Sequence, residues 1–323
     1  MIETAMKPYK IIGKPGDTVL IIGDAKTEGA IFESFSSAAK LLGIEPIIMI
    51  MQPLKRDYID PPLLVQEAAK KSDFLHYVTT IGIIHSQFGR SMSKQKKRKI
   101  VSDGVTTEML LRGSALADMD AVHELSKRID KFWDDGNEVH ITSEYGTDLK
   151  MSISGRKAYW AGFFPVLGAG FDIGLVPSVQ FPGGEASVAP VEDTAEGTLI
   201  INKSIHFPPG LLTEPIRLKI SRGTIVEIDG GHEAQQFEHW LESYGDKNAY
   251  RISELAVGVN EKAFWSGSPR QDRFVLGGCH IGFGLNVDVG GTIDSNIHYD
   301  GIFSCPTITV DNELIIKRGK IRI

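Results

Sequence analysis

Two uninterrupted apolar runs, separated by a segment with helical periodicity, constrain the fold of the N-terminal part of the chain most strongly. The first run is Val19–Ile22, which Gly23 ends, and the second is Ile47–Met51. Between them, apolar residues recur at roughly helical spacing, and Gly43 stands where helices commonly end. Strands that are apolar throughout are typical of parallel sheets covered on both faces. This stretch therefore predicts a strand, a helix and a parallel strand.

The pattern repeats and then changes. The segments "PPLLVQEAAKKSDFLHYVTT" and "KIVSDGVTTEMLLRG" again combine a helix with a strand, whereas short strands and turns dominate after "DDGN". We predict an α/β protein with an open α/β (Rossmann-like) domain over residues 1–136. A strand-rich α+β metal-binding domain over residues 137–323 follows it, with a hairpin at Gly146 and one clear helix over Glu233–Tyr244.

The turn after the first predicted strand, "GDAKTEG", carries no phosphate-binding glycine pattern. It lacks the G-x-G-x-x-G spacing of dinucleotide-binding folds, so we predict no nucleotide site there. Asp24 in this turn lies at the edge of the sheet where ligands commonly bind, but it is more simply interpreted as the cap of the following helix.

Composition and charge exclude several classes of partner. The 323 residues are 42% hydrophobic and carry a net charge of −6, which does not favour nucleic acid as a partner. Cys279 and Cys305 are too few for a disulfide scaffold and suit a reducing compartment. The N-terminus has no signal-peptide pattern, and no apolar run reaches the roughly 18–20 residues that span a bilayer. We predict a cytoplasmic protein with a small-molecule substrate and no membrane partner.

The stretch "SNIHYDGIF" brings an imidazole and a carboxylate together. Its neighbours favour a strand, in which positions two apart share a face. His298 and Asp300 would then present nitrogen and oxygen ligands side by side, while Tyr299 points the other way. A hydrogen-bonded pair at a strand end is an equally good interpretation of these residues alone.

Three further ionisable residues stand in glycine-rich or apolar surroundings: Glu185 in "FPGGEASVAP", Glu254 in "RISELAVGVN" and His280 in "LGGCHIGFGLN". A buried carboxylate is costly unless it is paired or bound to a cation. Each residue alone has a structural interpretation: Glu185 could cap a turn, Glu254 could pair with an arginine, and His280 could be a core histidine. Together with His298 and Asp300 they form an oxygen-rich ligand set that suits Zn²⁺, Mn²⁺, Co²⁺ or Fe²⁺, with one or two ions per chain.

In their order along the chain, these segments resemble the M29 metallopeptidase family, the aminopeptidase T and S group. The likeness rests on "GEASVAPVEDTAEGTLII", "ISELAVGVN", "GGCHIGFGLN" and "SNIHYD". It implies that Glu185, Glu254, His280, His298 and Asp300 bind a pair of catalytic metal ions. The family also has a catalytic tyrosine seven residues after the third ligand. Val287 occupies that position here, which counts against peptide hydrolysis.

A second resemblance is to the 2,5-dihydroxypyridine 5,6-dioxygenase family, whose members hold a single Fe(II) on the same scaffold. It rests on "PVEDTAEGTLIIN", "GGHEAQQF" and the "ISELAVGVN…HYD" framework. The resemblance implies a histidine ligand at the position of Glu254, together with the His-x-Asp pair. Glu254 departs from that pattern.

We consider three functions. The first is a metal-dependent hydrolase of a C–N bond in a small molecule, with Glu185 and Glu254 as catalytic carboxylates and Glu185 taking the proton of the attacking water. Two glutamates plus Asp300 would balance two dications better than one, which favours this hypothesis. The alternative is an Fe(II)-dependent ring-cleaving dioxygenase, in which His298, Asp300 and either His280 or Glu254 hold the iron. The third is a structural metal site without catalysis.

A homo-oligomer is also expected, since members of both families assemble. The Pro- and Gly-rich segment "AGFFPVLGAGFDIG" could line a subunit interface. The aromatic residues Tyr159, Trp160, Phe163 and Phe164 could form plain core or wall the substrate pocket.

Overall fold

The computed structural model describes residues 1–162, 164–165 and 178–323. Their contacts group the chain into two units. The first contains Met1–Ala117 with the described residues of Phe163–Gly183, and the second contains Asp118–Gly162 and Gly184–Ile323. The predicted boundary lies near residue 136, at the end of a helix that these contacts group with the second unit.

Helices and strands alternate along the first 135 residues. In order they are α1 Ile2–Ile12, β1 Thr18–Asp24, α2 Gly29–Leu41, β2 Glu45–Met51, α3 Leu63–Lys71, β3 Phe74–Val78, α4 Gln87–Lys94, β4 Arg98–Val101, α5 Thr107–Arg112, a 3₁₀ turn Ser114–Leu116 and α6 Met119–Asp135.

Strands dominate the rest of the chain. In order they are β5 Glu138–Thr142, β6 Asp148–Ser152, β7 Ala158–Gly162, β8 Phe164–Pro165, β9 Ser178–Gln180, β10 Glu185–Val188, β11 Glu196–Ile201, β12 Ser204–Ile205, β13 Ile216–Ser221, β14 Thr224–Asp229, α7 His232–Glu242, a 3₁₀ turn Lys247–Tyr250, β15 Ile252–Gly258, α8 Pro269–Asp272, β16 Cys279–Gly284, β17 His298–Phe303, β18 Thr307–Val310, β19 Glu313–Lys317 and β20 Lys320–Ile321.

The first unit is built on a parallel sheet in the order β2-β1-β3-β4-β9. The predicted strand–helix–strand unit is confirmed as β1, α2 and β2, and the Val19–Ile22 run is fully buried. Asp24 is not a helix cap. Its carboxylate accepts hydrogen bonds from the backbone N–H groups of Lys26 and Thr80, so it joins the turn after β1 to the turn after β3.

Antiparallel sheets form the second unit. One runs in the order β14-β13-β11-β6-β5-β18-β19-β20, and it contains the predicted hairpin, β5 and β6. Gly146 in the connecting turn has φ +106°, which residues with a Cβ rarely adopt. The other, which we call the site sheet, runs within this unit in the order β12-β17-β16-β15-β10-β7. The predicted helix Glu233–Tyr244 is confirmed as α7, displaced by one or two residues at its ends.

One face of the site sheet is closed by aromatic packing. The Tyr299 ring of β17 stacks on Phe283 of β16 with centroids 5.2 Å apart, and it meets Phe237 and Trp240 of α7 edge-on. These rings cover β16 and β17 on the side that faces α7. Alternation along β17 then turns His298 and Asp300 to the opposite face, as the sequence predicts.

No helix among the described residues combines the length and the apolar character that a membrane span requires. Phe163 and residues 166–177 lie outside the described part of the chain. The predicted interface segment 161–174 falls largely within that range, and the predicted oligomer stays a prediction.

Candidate metal centre

Three neighbouring strands of the site sheet bring the candidate ligands to one point. Glu254 on β15 lies opposite Gly282 on β16, which in turn lies opposite Asp300 on β17. His280 and His298 each stand two residues from one of these positions, on the same face of the sheet. The backbone ladder thus collects four side chains from three strands that are distant in sequence.

Gly282 leaves the space that these side chains share. A Cβ atom at this position would lie 2.7 Å from the Glu254 Cβ and 2.9 Å from the His298 Cε1. Only glycine allows both side chains to converge above the central strand. The glycines around His280 in the sequence therefore include the residue over which the candidate ligands converge.

The polar atoms are spaced as ligands of one ion would be. His298 Nε2 lies 3.1 Å from Glu254 Oε2 and 3.2 Å from Asp300 Oδ1. His280 Nε2 lies 3.7 Å from Glu254 Oε1 and 4.0 Å from Asp300 Oδ1. With metal–ligand bonds of about 2.1 Å, neighbouring ligand atoms stand about 3.0–3.4 Å apart, and atoms farther round the ion stand up to about 4.2 Å apart. The observed distances fall in this range.

The orientation of His298 fits a ligand. Its Nδ1 donates to the backbone carbonyl of Leu285 at 2.9 Å, so Nδ1 carries a proton. Nε2 then faces two carboxylates, and a lone pair there would be repelled. The position is stable only with a proton or a cation at Nε2. Burial alone would lower the pKa of His298, but hydrogen bonds to Asp300 and Glu254 raise it to about 10 when a proton fills this role.

The surroundings of His280 also suit a bound cation. The residue is fully buried, and neither ring nitrogen has a hydrogen-bond partner among the described residues. Buried polar atoms are rarely left in this condition. One ligand atom from each of Glu254, His280 and Asp300 falls within 4.8 Å of the others, which is suitable for a metal ion.

Electrostatics keep the two central carboxylates charged. Burial would raise the pKa of Glu254, but the neighbouring imidazoles of His280 and His298 favour its charged form and lower the pKa below its usual range. Burial likewise opposes ionisation of Asp300, yet the positive charges of His280 and His298 lower its pKa as well. Both side chains are therefore ready to bind a cation as anions.

Glu185 lies beside this centre, where its carboxylate faces Arg273. Its Oε2 atom is 3.8 Å from the Nε of Arg273, whose Nη1 is 3.9 Å from Asp300 Oδ2. Burial raises the pKa of Glu185, and Arg273 opposes that shift. Gly184 precedes it with φ +137°, and a Cβ at this position would lie 2.6 Å from the Asn260 Cβ, so the turn before β10 requires glycine here. The structure thus brings four predicted ligands together and places the fifth next to an arginine.

Three residues of the site were missed or undecided at the sequence level. Arg273 was missed because it lies in an irregular segment whose sequence carries no periodic signal. His206 follows the short strand β12, and its Nδ1 accepts the backbone N–H of Asp300 at 3.1 Å. Tyr159, which the sequence assigned to core or pocket, is buried in the site. Burial and the negative charges of Glu254 and Glu185 raise the pKa of its phenol.

Cys279 takes no part in the centre. It is buried on the face of β16 opposite His280, and burial raises the pKa of its thiol. A buried thiol with a raised pKa is typical of an unreactive, structural cysteine.

Comparisons with known proteins agree with one of the two resemblances more closely. The model of the family described as NicX, 2,5-dihydroxypyridine 5,6-dioxygenase, matches residues 10–323. A 2,5-dihydroxypyridine 5,6-dioxygenase of Pseudomonas putida (strain KT2440) is 28% identical over 153 residues. That alignment covers 44% of this chain and 44% of the relative, less than half of its length.

Two solved structures share the fold. The 2,5-dihydroxypyridine dioxygenase of Pseudomonas putida KT2440 has a TM-score of 0.80 at 21% identity, covering 99% of this chain and 96% of its own. Wild-type AmpT from Thermus thermophilus has a TM-score of 0.69 at 13% identity, covering 99% of each chain. At these identities the two structures bear on the fold and leave the reaction open.

Proposed function

The chain belongs to the 2,5-dihydroxypyridine 5,6-dioxygenase (NicX) family, and from this membership we propose that it is a metal-dependent dioxygenase that opens a small hydroxylated aromatic ring. The observation that carries the proposal is the convergence of four side chains on one point, in a chain that matches this family over residues 10–323. The four side chains are His298, Asp300, Glu254 and His280.

The family match supports the ring-cleaving alternative better than the C–N hydrolase that we favoured from the sequence. Three carboxylates without a compensating cation would favour two dications, but the structure adds a cation that the sequence did not reveal. Arg273 supplies that cation next to Glu185 and Asp300. With Arg273 present, one divalent ion is enough to balance the centre.

We propose His298, Asp300 and His280 as a two-histidine, one-carboxylate set, with Glu254 as a fourth ligand on the opposite side of Gly282. Sets of this kind leave neighbouring positions open for substrate and oxygen in non-haem iron enzymes. An Fe²⁺ ion held there would supply electron transfer to molecular oxygen, which amino-acid side chains do not provide. Zn²⁺, Mn²⁺ and Co²⁺ would fit the same ligands.

The surrounding residues have distinct parts in this proposal. The carbonyl of Leu285 fixes the His298 ring so that Nε2 faces the ion. The imidazole of His206 accepts the Asp300 backbone N–H and holds that end of β17 in place. The Tyr159 phenol stays protonated, because burial and nearby carboxylates raise its pKa, so it can donate a hydrogen bond to an anionic oxygen of the substrate.

The experiment that tests the proposal compares two metals in one protein. Metal-free protein is loaded with Fe²⁺ or with Zn²⁺ without oxygen and then mixed with 2,5-dihydroxypyridine in oxygenated buffer. We expect the Fe²⁺ form to consume one O₂ per ring opened and to place label from ¹⁸O₂ in the product. The Zn²⁺ form has the same charge but no accessible redox change, and it should be inactive.

A hydrolase would give the reverse pattern. In a second assay, each metal form is given an aryl amine or an amino-acid p-nitroanilide as substrate. Release of an amine or of p-nitroaniline by the Zn²⁺ or Mn²⁺ form, with no oxygen uptake by the Fe²⁺ form, would contradict the proposal. An Asp300→Asn variant controls for iron chemistry in solution, because asparagine has nearly the same shape as aspartate but is not an anionic ligand.

A further inference from the structure

Arg273 is anchored firmly beside the metal centre. It follows α8, whose last residue, Asp272, is fully buried. The Asp272 carboxylate accepts hydrogen bonds from the backbone N–H groups of Ser266 and Gly267 and from the hydroxyl of Ser204. This network fixes the turn that carries Arg273, and the guanidinium carbon lies 4.8 Å from the centre of the Phe274 ring.

The guanidinium lies between two carboxylates of the site. Its Nε is 3.8 Å from Glu185 Oε2 and its Nη1 is 3.9 Å from Asp300 Oδ2, while only 16% of the side chain is exposed. In two-metal enzymes the ions stand about 3.5–4 Å apart and share a carboxylate. The Arg273 guanidinium thus lies between Glu185 and Asp300, the two carboxylates that would have to hold a second ion.

A charge count points the same way. When ionised, Glu185, Glu254 and Asp300 carry three negative charges, and Arg273 carries one positive charge. One dication brings this total to zero, whereas two would leave two uncompensated positive charges in a buried place. A guanidinium does not give up its proton in proteins, so its charge persists when metal is abundant.

We propose that Arg273 limits this site to one divalent ion, by holding positive charge between Glu185 and Asp300 where a second ion would otherwise bind. The inference rests on the proposed metal binding by Glu254, His280, His298 and Asp300, and it assigns Glu185 to Arg273 instead of to the metal. Arg273 is thus a positioning residue that sets the number of ions.

Manganese titration tests this role without any catalytic assay. The wild-type protein, Arg273→Met, Arg273→Lys and the double variant Arg273→Met/Glu185→Gln are titrated with Mn²⁺, with bound metal counted by elemental analysis and followed by electron paramagnetic resonance. Methionine is neutral, and its thioether is a poor ligand for Mn²⁺. We expect one ion in the wild type and in Arg273→Lys, which keeps the charge.

We expect two ions in Arg273→Met, with the spectrum of an exchange-coupled pair, and one again in the double variant. Glu185→Gln alone should lower the affinity for the first ion less than about 5-fold, whereas loss of a group that ligates or orients the metal costs about 10–100-fold or more. A wild-type protein that takes up two ions, or a 100-fold loss in Glu185→Gln, would overturn the inference. Both measurements remain available if Arg273→Met does not fold.

A folded Arg273→Met that still binds a single ion at saturating Mn²⁺ would also overturn it. These measurements distinguish a failure of the role of Arg273 from a failure of the function proposed above. One ion in the wild type and two in Arg273→Met, with no oxygen uptake by the Fe²⁺ form, would support the role of Arg273 and contradict the dioxygenase. Wild-type protein that binds no Mn²⁺ would refute both.

Discussion

A single methyl group added at Gly282 should disturb metal binding more than it disturbs the fold. The new Cβ would lie 2.7 Å from the Glu254 Cβ and 2.9 Å from the His298 Cε1. Carbon atoms in contact stand about 3.5 Å apart or farther, so Glu254 must retreat by about 0.8 Å and His298 by about 0.6 Å. Two ligands from neighbouring strands would then separate across the point where the ion binds.

The size of the effect follows from these shifts. Overpacking of this kind costs about 1–3 kcal/mol of the free energy of unfolding. Misplacing the groups that orient a metal ligand costs about 10–100-fold in metal affinity. We therefore expect Gly282→Ala to bind Fe²⁺ or Co²⁺ roughly 10–100-fold more weakly than the wild type, measured by competition with a chelator of known affinity.

Gly301→Ala is a matched control. Gly301 lies next to Asp300 on β17 but faces the other side of the sheet, and a Cβ there would lie 2.5 Å from the Ile201 Cδ1. It should lower the free energy of unfolding by a similar amount and leave metal affinity within about 3-fold of the wild type. Wild-type affinity in Gly282→Ala, or equal losses in both variants, would refute the proposed convergence at Gly282.

Other expectations concern the ligands, a buried carboxyl and the thiols. Glu254→His should raise Fe²⁺ affinity relative to Mn²⁺, measured by competition between the two ions, because imidazole suits iron better than a carboxylate does; unchanged selectivity would count against Glu254 as a ligand. Asp130 has no hydrogen-bond partner for either carboxylate oxygen among the described residues, and burial, assisted by Asp134, raises its pKa to about 9. The folded state then binds more protons than the unfolded state between about pH 4 and pH 9, so this group makes stability fall as pH rises through that window. Asp130→Asn should flatten the slope and add about 1–3 kcal/mol at pH 8 in denaturant titrations, and an unchanged slope would contradict this account. In the native protein a thiol reagent should modify Cys305 readily and Cys279 only upon unfolding, whereas rapid modification of two thiols would contradict the burial of Cys279.

The sequence predicted well those features that depend on local periodicity. Val19–Ile22 and Ile47–Met51 are both strands of the parallel sheet, as continuous apolar runs predict. The first is buried throughout, whereas Ile47, Ile48 and Ile50 are exposed, because β2 is an edge strand. His298 and Asp300 share a face because the two-residue period of a strand leaves no alternative once the segment is extended. The hairpin at Gly146 was also predicted from local pattern, since two strand-like segments flank a turn that contains glycine.

Features that depend on tertiary contacts could not be predicted from the sequence. Arg273 contacts Glu185, 88 residues before it, and Asp300, 27 residues after it, from a segment without helical or strand periodicity. Without Arg273, the sequence predicts three negative charges and no positive one at the site, which favours two metal ions and a hydrolase. Asp24 was assigned to a helix cap, which is a local interaction, whereas its partner Thr80 is 56 residues away.

The register of the site sheet has a consequence for how such enzymes diverge. Glu254, Gly282 and Asp300 are held in one row by backbone hydrogen bonds, which do not depend on the side chains that the row carries. Exchanging one side chain for another alters the charge and affinity at the ion while the Cα positions stay where the ladder puts them. A template of this kind lets new chemistry arise by single substitutions, without any intermediate that must refold.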